Sequence, residues 1–260
     1  MSSQTILDVE DVHLAFEGLR AVSGATFQVK RSSICALIGP NGAGKTTLFN
    51  IISGFYRADR GSIALEGAPI QGRPPHAIAK RGLVRTFQLT KVFGGMSVLD
   101  NLLLGAPQQP GESIPQLLIR LRSARRREAE VRARALELLE TLGLQTHVDA
   151  YADTLSGGQR KLLEFGRALM TEPKLMLLDE PMAGINPTLG ARLLDLVTRM
   201  RDEQGTTFLF VEHDMDVVMT RSDNVVVMAN GKVIAQGKPD VIRTDPAVID
   251  AYLGEQSEGD

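Results

Sequence analysis

The sequence contains no tryptophan and a single cysteine, and aromatic residues make up only 5% of it. One cysteine excludes an intramolecular disulfide framework and any zinc site built from several thiolates. Cys35 lies in the apolar run ICALI, which marks a buried structural thiol rather than a nucleophile. An excess of one charge is also lacking. Lys+Arg number 29 and Asp+Glu 31, for a net charge of −2, which argues against a polyanion binder acting with its whole surface. No apolar stretch exceeds five residues, the longest being 34–38 and 225–229, whereas a helix that crosses a bilayer needs about 20. The opening MSSQTILDVEDVH has neither the basic segment nor the apolar segment of a secretory signal. These absences point to a cytosolic chain. With 260 residues, 43% hydrophobic and 23% charged, it suffices for one large α/β domain or two modest ones.

Glycine is abundant, 25 of 260 residues, and clusters at 39–44, 94–95 and 157–158. Such clusters bring backbone close to a partner or supply positive φ. Short β-rich segments at 6–12, 14–16, 25–29, 34–38 and 62–66 predict strands. From residue 115 to 142 the pattern turns helical, with one leucine stripe and one highly charged face. Helices are expected at 161–170, 187–204, 215–221 and 239–253, and buried strands at 175–178 and 208–211. The Asn230-Gly231 pair predicts a type I′ hairpin between 225–228 and 232–236. Strands alternating with helices on both sides of a helix-rich middle suggest an α/β P-loop core carrying an inserted helical subdomain. The insertion is expected at 89–160, with residues 1–88 and 161–260 forming the core.

Gly39-Pro40-Asn41-Gly42-Ala43-Gly44-Lys45-Thr46 fits G-x-x-x-x-G-K-[ST] at every fixed position, after a predicted strand and before a segment, 47–52, able to continue as helix. Glycines let successive N–H groups turn inward around phosphate oxygens, and the following helix points its positive end at the same anion. Lys45 adds a full charge at the β- and γ-phosphates, Thr46 offers a hydroxyl to Mg²⁺, and Thr47 can donate to the α-phosphate. The pattern indicates a nucleoside triphosphate. Without an N-K-x-D guanine signature, GTP is disfavoured.

The run Leu175-Met176-Leu177-Leu178-Asp179-Glu180-Pro181 reads as a buried strand delivering two carboxylates to the sheet edge. Asp179 would hold the metal, and Glu180, one residue on, would act as general base on the attacking water. A third motif, Leu155-Ser156-Gly157-Gly158-Gln159, opens a predicted helix and offers a hydroxyl, free N–H groups and a helix N-terminus. One site closing on itself does not need two phosphate-binding ends. Two copies arranged head to tail use both, with the Ser156 end of one covering the cradle of the other.

In their order and spacing these motifs resemble the ATP-binding-cassette (ABC) ATPases over about residues 6–254. The resemblance implies an α/β P-loop NTPase core of RecA-like type, an N-terminal antiparallel β subdomain and an inserted α-helical subdomain. It implies ATP and Mg²⁺ as ligands. Gln88, in Arg85-Thr86-Phe87-Gln88, would be the hinge glutamine that touches Mg²⁺ and reports nucleotide state. His213, in Glu212-His213-Asp214, would contact the γ-phosphate. Phe16 stands where the family places the aromatic that stacks on adenine; the alternative is a core position. After the catalytic glutamate the family usually has S-A-L-D, and here Asn186 replaces that aspartate.

The segment A-G-I-N-P after D-E-P, the E-H-D-M run and the C-terminal A-Y-L-G-E are similar to one subgroup. It comprises the longer of the two paralogous ATP-binding subunits of branched-chain amino-acid importers, with relatives that serve urea or short-chain amides. The resemblance implies membrane permeases docking a coupling helix near Gln88, with residues 86–95 as the groove wall. A second ATP-binding subunit, identical or paralogous, and an external solute-binding protein are the other implied partners. The place of action would be the cytoplasmic face of the membrane. Other readings are a lipopolysaccharide-export ATPase, a soluble cassette ATPase acting on ribosomes or DNA, and a P-loop kinase. The single cassette without a long heptad run and the LSGGQ motif speak against the last two. Arg125, Arg126 and Arg127 are followed by Glu128 and Glu130, the mixed pattern of a solvated helix face rather than a nucleic-acid stripe.

Overall fold

Alternating burial near the N-terminus and unbroken burial further along separate the strands into two sheets. The computed structural model describes residues 4–86, 92–107 and 121–256. Strands run Thr5–Phe16 (β1), Leu19–Lys30 (β2), Ile34–Ile38 (β3), Arg60–Leu65 (β4), Ala68–Pro69 (β5), Leu83–Arg85 (β6), Leu175–Asp179 (β7), Thr207–Val211 (β8), Asn224–Ala229 (β9) and Lys232–Gly237 (β10). Helices run Lys45–Ile52 (α1), Pro75–Ala79 (α2), Val98–Leu103 (α3), Leu121–Thr141 (α4), Gly157–Met170 (α5), Pro187–Gln204 (α6), Met215–Arg221 (α7), Pro239–Ile242 (α8) and Pro246–Gln256 (α9).

The chain divides into two packed units. The first holds residues up to Arg85, Lys174–Met182 and everything from Val197; the second holds Thr86–Pro173 and Ala183–Leu196. The expected helical subdomain of 89–160 is narrower than this second unit, which also takes in α5.

Within the first unit, β2-β1-β4-β5 form an antiparallel sheet, and β10-β9-β3-β8-β7-β6 form a sheet parallel throughout except at the β10 edge. Strands β3, β7 and β8 are buried at every position, as parallel strands covered on both faces must be. Their apolar runs therefore show no alternation, and length is what marks them as strands. The carboxyl ends of β3 and β7 lead directly into the glycine-rich loop and into Glu180, the edge at which α/β sheets bind ligands. In the second unit, α3, α4 and α5 meet at Gly166. A Cβ there would lie 2.7 Å from Leu142 Cδ1 and 3.0 Å from Leu102 Cδ2.

The hairpin at Asn230-Gly231 forms as expected, with φ of 50° and 76° and β9 paired antiparallel to β10. Three expectations are revised. Segments 6–12 and 14–16 are one strand, β1, whose register shifts around Asp11 at φ 47°; the bulge absorbs the polar interruption. Helix α5 starts at Gly157, not 161, because Ser156 and Gln159 form a reciprocal capping box. The expected helix 239–253 is two helices, since the residue before Pro246 is disfavoured in helical conformation. Helix α4 is described from Leu121, so the start expected at 115 lies outside the described residues. Among the described residues no helix is long and apolar enough to cross a membrane.

Candidate functional site

Residues 39–44 turn the chain from β3 into α1. A Cβ on Gly39 would lie 2.0 Å from the Met228 carbonyl oxygen, and one on Gly44 2.3 Å from that of Ala21. Both glycines also have positive φ, 147° and 96°. The loop is thus pressed between β9 and the start of β2 so tightly that only backbone fits. Ala43 is buried beneath it, and its carbonyl accepts from Gly231 N at 3.1 Å, anchoring the loop to the β9–β10 hairpin. Helix α1 begins with Gly44 as its N-cap, so no side chain caps its first-turn amides. Those amides and the helix dipole form a positive concavity suited to phosphate. Lys45 is buried and donates Nζ to the carbonyl oxygens of Gly39 (2.7 Å) and Pro40 (2.8 Å), which holds its charge over the loop. Thr46 is exposed at the same helix end and Thr47 is half-buried.

Asp179 ends β7. Its Oδ2 accepts from Arg85 Nη2 at 2.8 Å, with side-chain exposures of 1% for Asp179 and 8% for Arg85. Arg85 Nη1 also donates to Asn50 Oδ1 (2.7 Å) and Ser53 Oγ (3.1 Å) on and just after α1, and its guanidinium lies 5.7 Å from the centre of the Phe49 ring. The other carboxylate oxygen, Asp179 Oδ1, is buried without a partner. A buried oxygen that lacks a donor is costly unless something positive completes it. This donor set fits Mg²⁺, which takes one or two protein oxygens and draws the rest from phosphate and water. Among the described residues no cluster of three or more His, Cys, Asp or Glu could hold a metal ion.

Glu180 sits at φ 49°, in left-handed backbone that a glutamate adopts only when its surroundings enforce it. Its N–H donates to the Val211 carbonyl at 3.0 Å. Its Oε1 lies 3.1 Å from His213 Nε2, and both side chains are partly open to solvent. Glu212 is buried between the two segments. Its Oε1 accepts from Met182 N at 2.9 Å and its Oε2 from His213 N at 3.2 Å. Burial pushes the Glu212 carboxyl above the usual glutamate range, and the neighbouring Glu180 charge acts in the same direction. Cys35 is fully buried, as its apolar run predicts, and burial pushes its thiol up to about 12.

Phe16 is 43% exposed at the end of β1, which rules out the core reading, and meets Tyr56 edge-on with ring centroids 5.3 Å apart. The Ser156-Gly157-Gly158-Gln159 turn belongs to the second unit. Ser156 Oγ accepts from Gln159 N (3.3 Å) while Ser156 N donates to Gln159 Oε1 (2.9 Å), so Ser156 is the N-cap of α5. Its hydroxyl proton is not used by the cap. Gly157 faces open space, with nothing within 4 Å of an added Cβ, whereas one on Gly158 would lie 3.1 Å from Leu189 Cδ1. Asn186 Oδ1 accepts from Leu189 N at 2.9 Å, capping the start of α6. Gln88 lies outside the described residues.

The first unit therefore contains residues 39–47, Asp179, Glu180, His213 and Phe16, and the second contains Ser156, Gly157, Gly158 and Gln159. Sequence reading missed Arg85 and Glu212. The available signal for both was a charged residue at the end of an apolar strand segment, LVR and FLFVE.

The family model described as "ABC transporter" matches residues 22–183, more than half of the chain. A second, described as "Branched-chain amino acid ATP-binding cassette transporter", matches residues 232–258. A probable branched-chain amino acid transport ATP-binding protein of Archaeoglobus fulgidus is 44% identical over 253 residues, 96% of each chain. A high-affinity branched-chain amino acid transport ATP-binding protein of Pseudomonas aeruginosa is 42% identical, covering 97% of this chain and 99% of that protein. The solved ADP conformation of an ATP-binding cassette of an ABC transporter superposes with a TM-score of 0.80 at 37% identity, covering 97% of this chain and 100% of that one.

Proposed function

The chain belongs to the ABC transporter family, and on that footing we propose that it is the ATP-hydrolysing subunit of an importer of branched-chain amino acids or of related amino acids, amides or urea. The observation that carries the ATPase reading is the conjunction, in one packed unit, of an uncapped helix end behind a backbone-only loop with Asp179, Glu180 and His213. The branched-chain class rests on the 42–44% identity to transport proteins of that class and on the matching C-terminal family model.

In this reading the reaction is ATP + H₂O to ADP + phosphate. Water attacks the γ-phosphorus in line, the bond to the β-bridging oxygen breaks, and Glu180 takes the water's proton. His213 and Lys45 hold the γ-phosphate, the loop amides and Thr47 hold the remaining phosphate oxygens, and Phe16 stacks on adenine. Thr46, Asp179 and Gln88 would hold Mg²⁺, which would supply charge neutralisation at the phosphate oxygens. Ser156, Gly157, Gly158 and Gln159 of a second ATP-binding subunit, identical or paralogous, complete the site from the other side. Work passes to membrane permeases through a coupling helix docked near Gln88, and an external solute-binding protein delivers the solute. The chain then acts peripherally at the cytoplasmic face of the membrane, and nucleic acid plays no part.

Two measurements test this. Purified protein should release phosphate from Mg-ATP, and affinity capture from detergent-solubilised membranes should bring down permease subunits that support ATP-dependent leucine uptake in proteoliposomes. Capture of ribosomes or DNA without membrane protein would contradict the transport reading, and absence of phosphate release would contradict the ATPase reading.

A further inference from the structure

We propose that Glu212 is a positioning residue that sets Glu180 and His213 in working register by stitching together the two loops that carry them. The inference rests on the assignment of Glu180 and His213 given above and deepens it.

Glu212 follows β8 and is only 6% exposed, although carboxylates are rarely buried without purpose. Its two oxygens face different loops. One accepts from Met182 N, two residues beyond Glu180, and the other from His213 N. The carboxylate is therefore hydrogen-bonded to backbone on both sides, which is what a buried charge requires. The two loops also meet through Glu180 N to Val211 O and Glu180 Oε1 to His213 Nε2. Both involve Glu180, the residue in left-handed backbone. Strained backbone persists only where neighbouring bonds over-determine it. Remove the Glu212 bonds and the turn after Glu180 loses its side-chain anchor at Met182 N. The side chain that must orient water would then move relative to the imidazole. Glu212 touches neither water nor nucleotide in this scheme and acts through Glu180.

The test is kinetic and uses the full-length chain. Glu212→Gln keeps shape and one acceptor but turns an amide NH₂ toward a backbone N–H. The turnover rate should fall about tenfold or more, the equivalent of one hydrogen bond, while ATP affinity by fluorescent-nucleotide titration stays within about threefold. In a Glu180→Gln background, followed with γ-labelled ATP over hours, Glu212→Gln should add little, because a residue acting through Glu180 loses its effect once the base is gone. A merely structural role would instead multiply the two losses. Glu212→Asp, which keeps the charge but shortens the reach, should show the same loss of turnover with preserved ATP binding, and it serves if the glutamine variant fails to fold. Parent-like turnover in either variant, or fully multiplicative losses, would overturn the inference. A parent chain that releases no phosphate would instead refute the assignment beneath it.

Discussion

Arg85 and Asp179 form a buried ion pair in which one carboxylate oxygen is engaged at 2.8 Å and the other is left without a partner. The arginine orients the carboxylate and balances its charge, leaving the unpaired oxygen for the proposed Mg²⁺. Because Arg85 also grips Asn50 and Ser53, it ties the strand that leads toward Gln88 to the helix behind the phosphate cradle.

Arg85→Met should accordingly lower stability by about 3–5 kcal/mol, the usual consequence of leaving a buried charge unpaired. The double variant Arg85→Met/Asp179→Asn should recover most of that loss, since it leaves no lone charge. Both are measured by denaturant unfolding. In Arg85→Met protein that remains folded, the increment in ATP affinity on adding Mg²⁺ should shrink, as read by nucleotide titration with and without the ion.

Gly39→Ala places a methyl group 2.0 Å from the Met228 carbonyl oxygen. The loop must move off β9, so fluorescent-ATP affinity should drop at least tenfold and stability by about 1–3 kcal/mol. Gly157→Ala, which meets open space, should leave nucleotide binding by the isolated chain unchanged.

Glu66 accepts from Lys174 and from Arg31, at 2.6 and 2.7 Å, and the Lys174 bond is the larger reason its carboxyl is held below the usual glutamate range. A carboxyl lowered in the folded state contributes stability that is present above its unfolded value, about 4.3, and is lost as pH falls toward the folded value. Thermal midpoints should therefore decline below about pH 4.5, and Glu66→Gln should flatten the part of that decline due to this group. An unchanged slope would contradict the assignment.

Ser156→Arg should leave ATP binding by the isolated chain intact and reduce hydrolysis by about a hundredfold or more. Ser156 lies outside the unit that holds the cradle, so an equal loss of binding would count against a site completed by a second copy.

Much of the architecture was legible because the strongest signals are local. Unbroken apolar runs ending in glycine or aspartate gave β3 and β7, the 187–204 and 215–221 helices were read to the residue, and Asn230-Gly231 gave the hairpin. The capping box at Ser156 and Gln159 was equally local, yet its two glycines read as loop and hid the first turn of α5. What sequence could not supply was the long-range setting of the site. Nothing in GPNGAGKT says that Met228 and Ala21 press on the loop, and nothing in LVR says that its arginine will find Asp179, 94 residues away. Strand β6 is three residues long, too short for any periodicity to register. Phe16 was legible as an aromatic at a strand end, but its exposure, which removes the core alternative, depends on how β1 meets the neighbouring turn at Tyr56.

The central claim is that the nucleotide is held between two subunits and that its hydrolysis releases them. Glu180→Gln removes the proposed base while leaving the cradle and the Ser156-Gly157-Gly158 turn in place. Light scattering across a gel-filtration peak, with Mg-ATP present, measures the outcome directly. The account predicts a stable dimer in ATP that reverts to monomer in ADP, whereas a monomer that binds ATP yet never dimerises, alone or mixed with its paralogous partner, would contradict it.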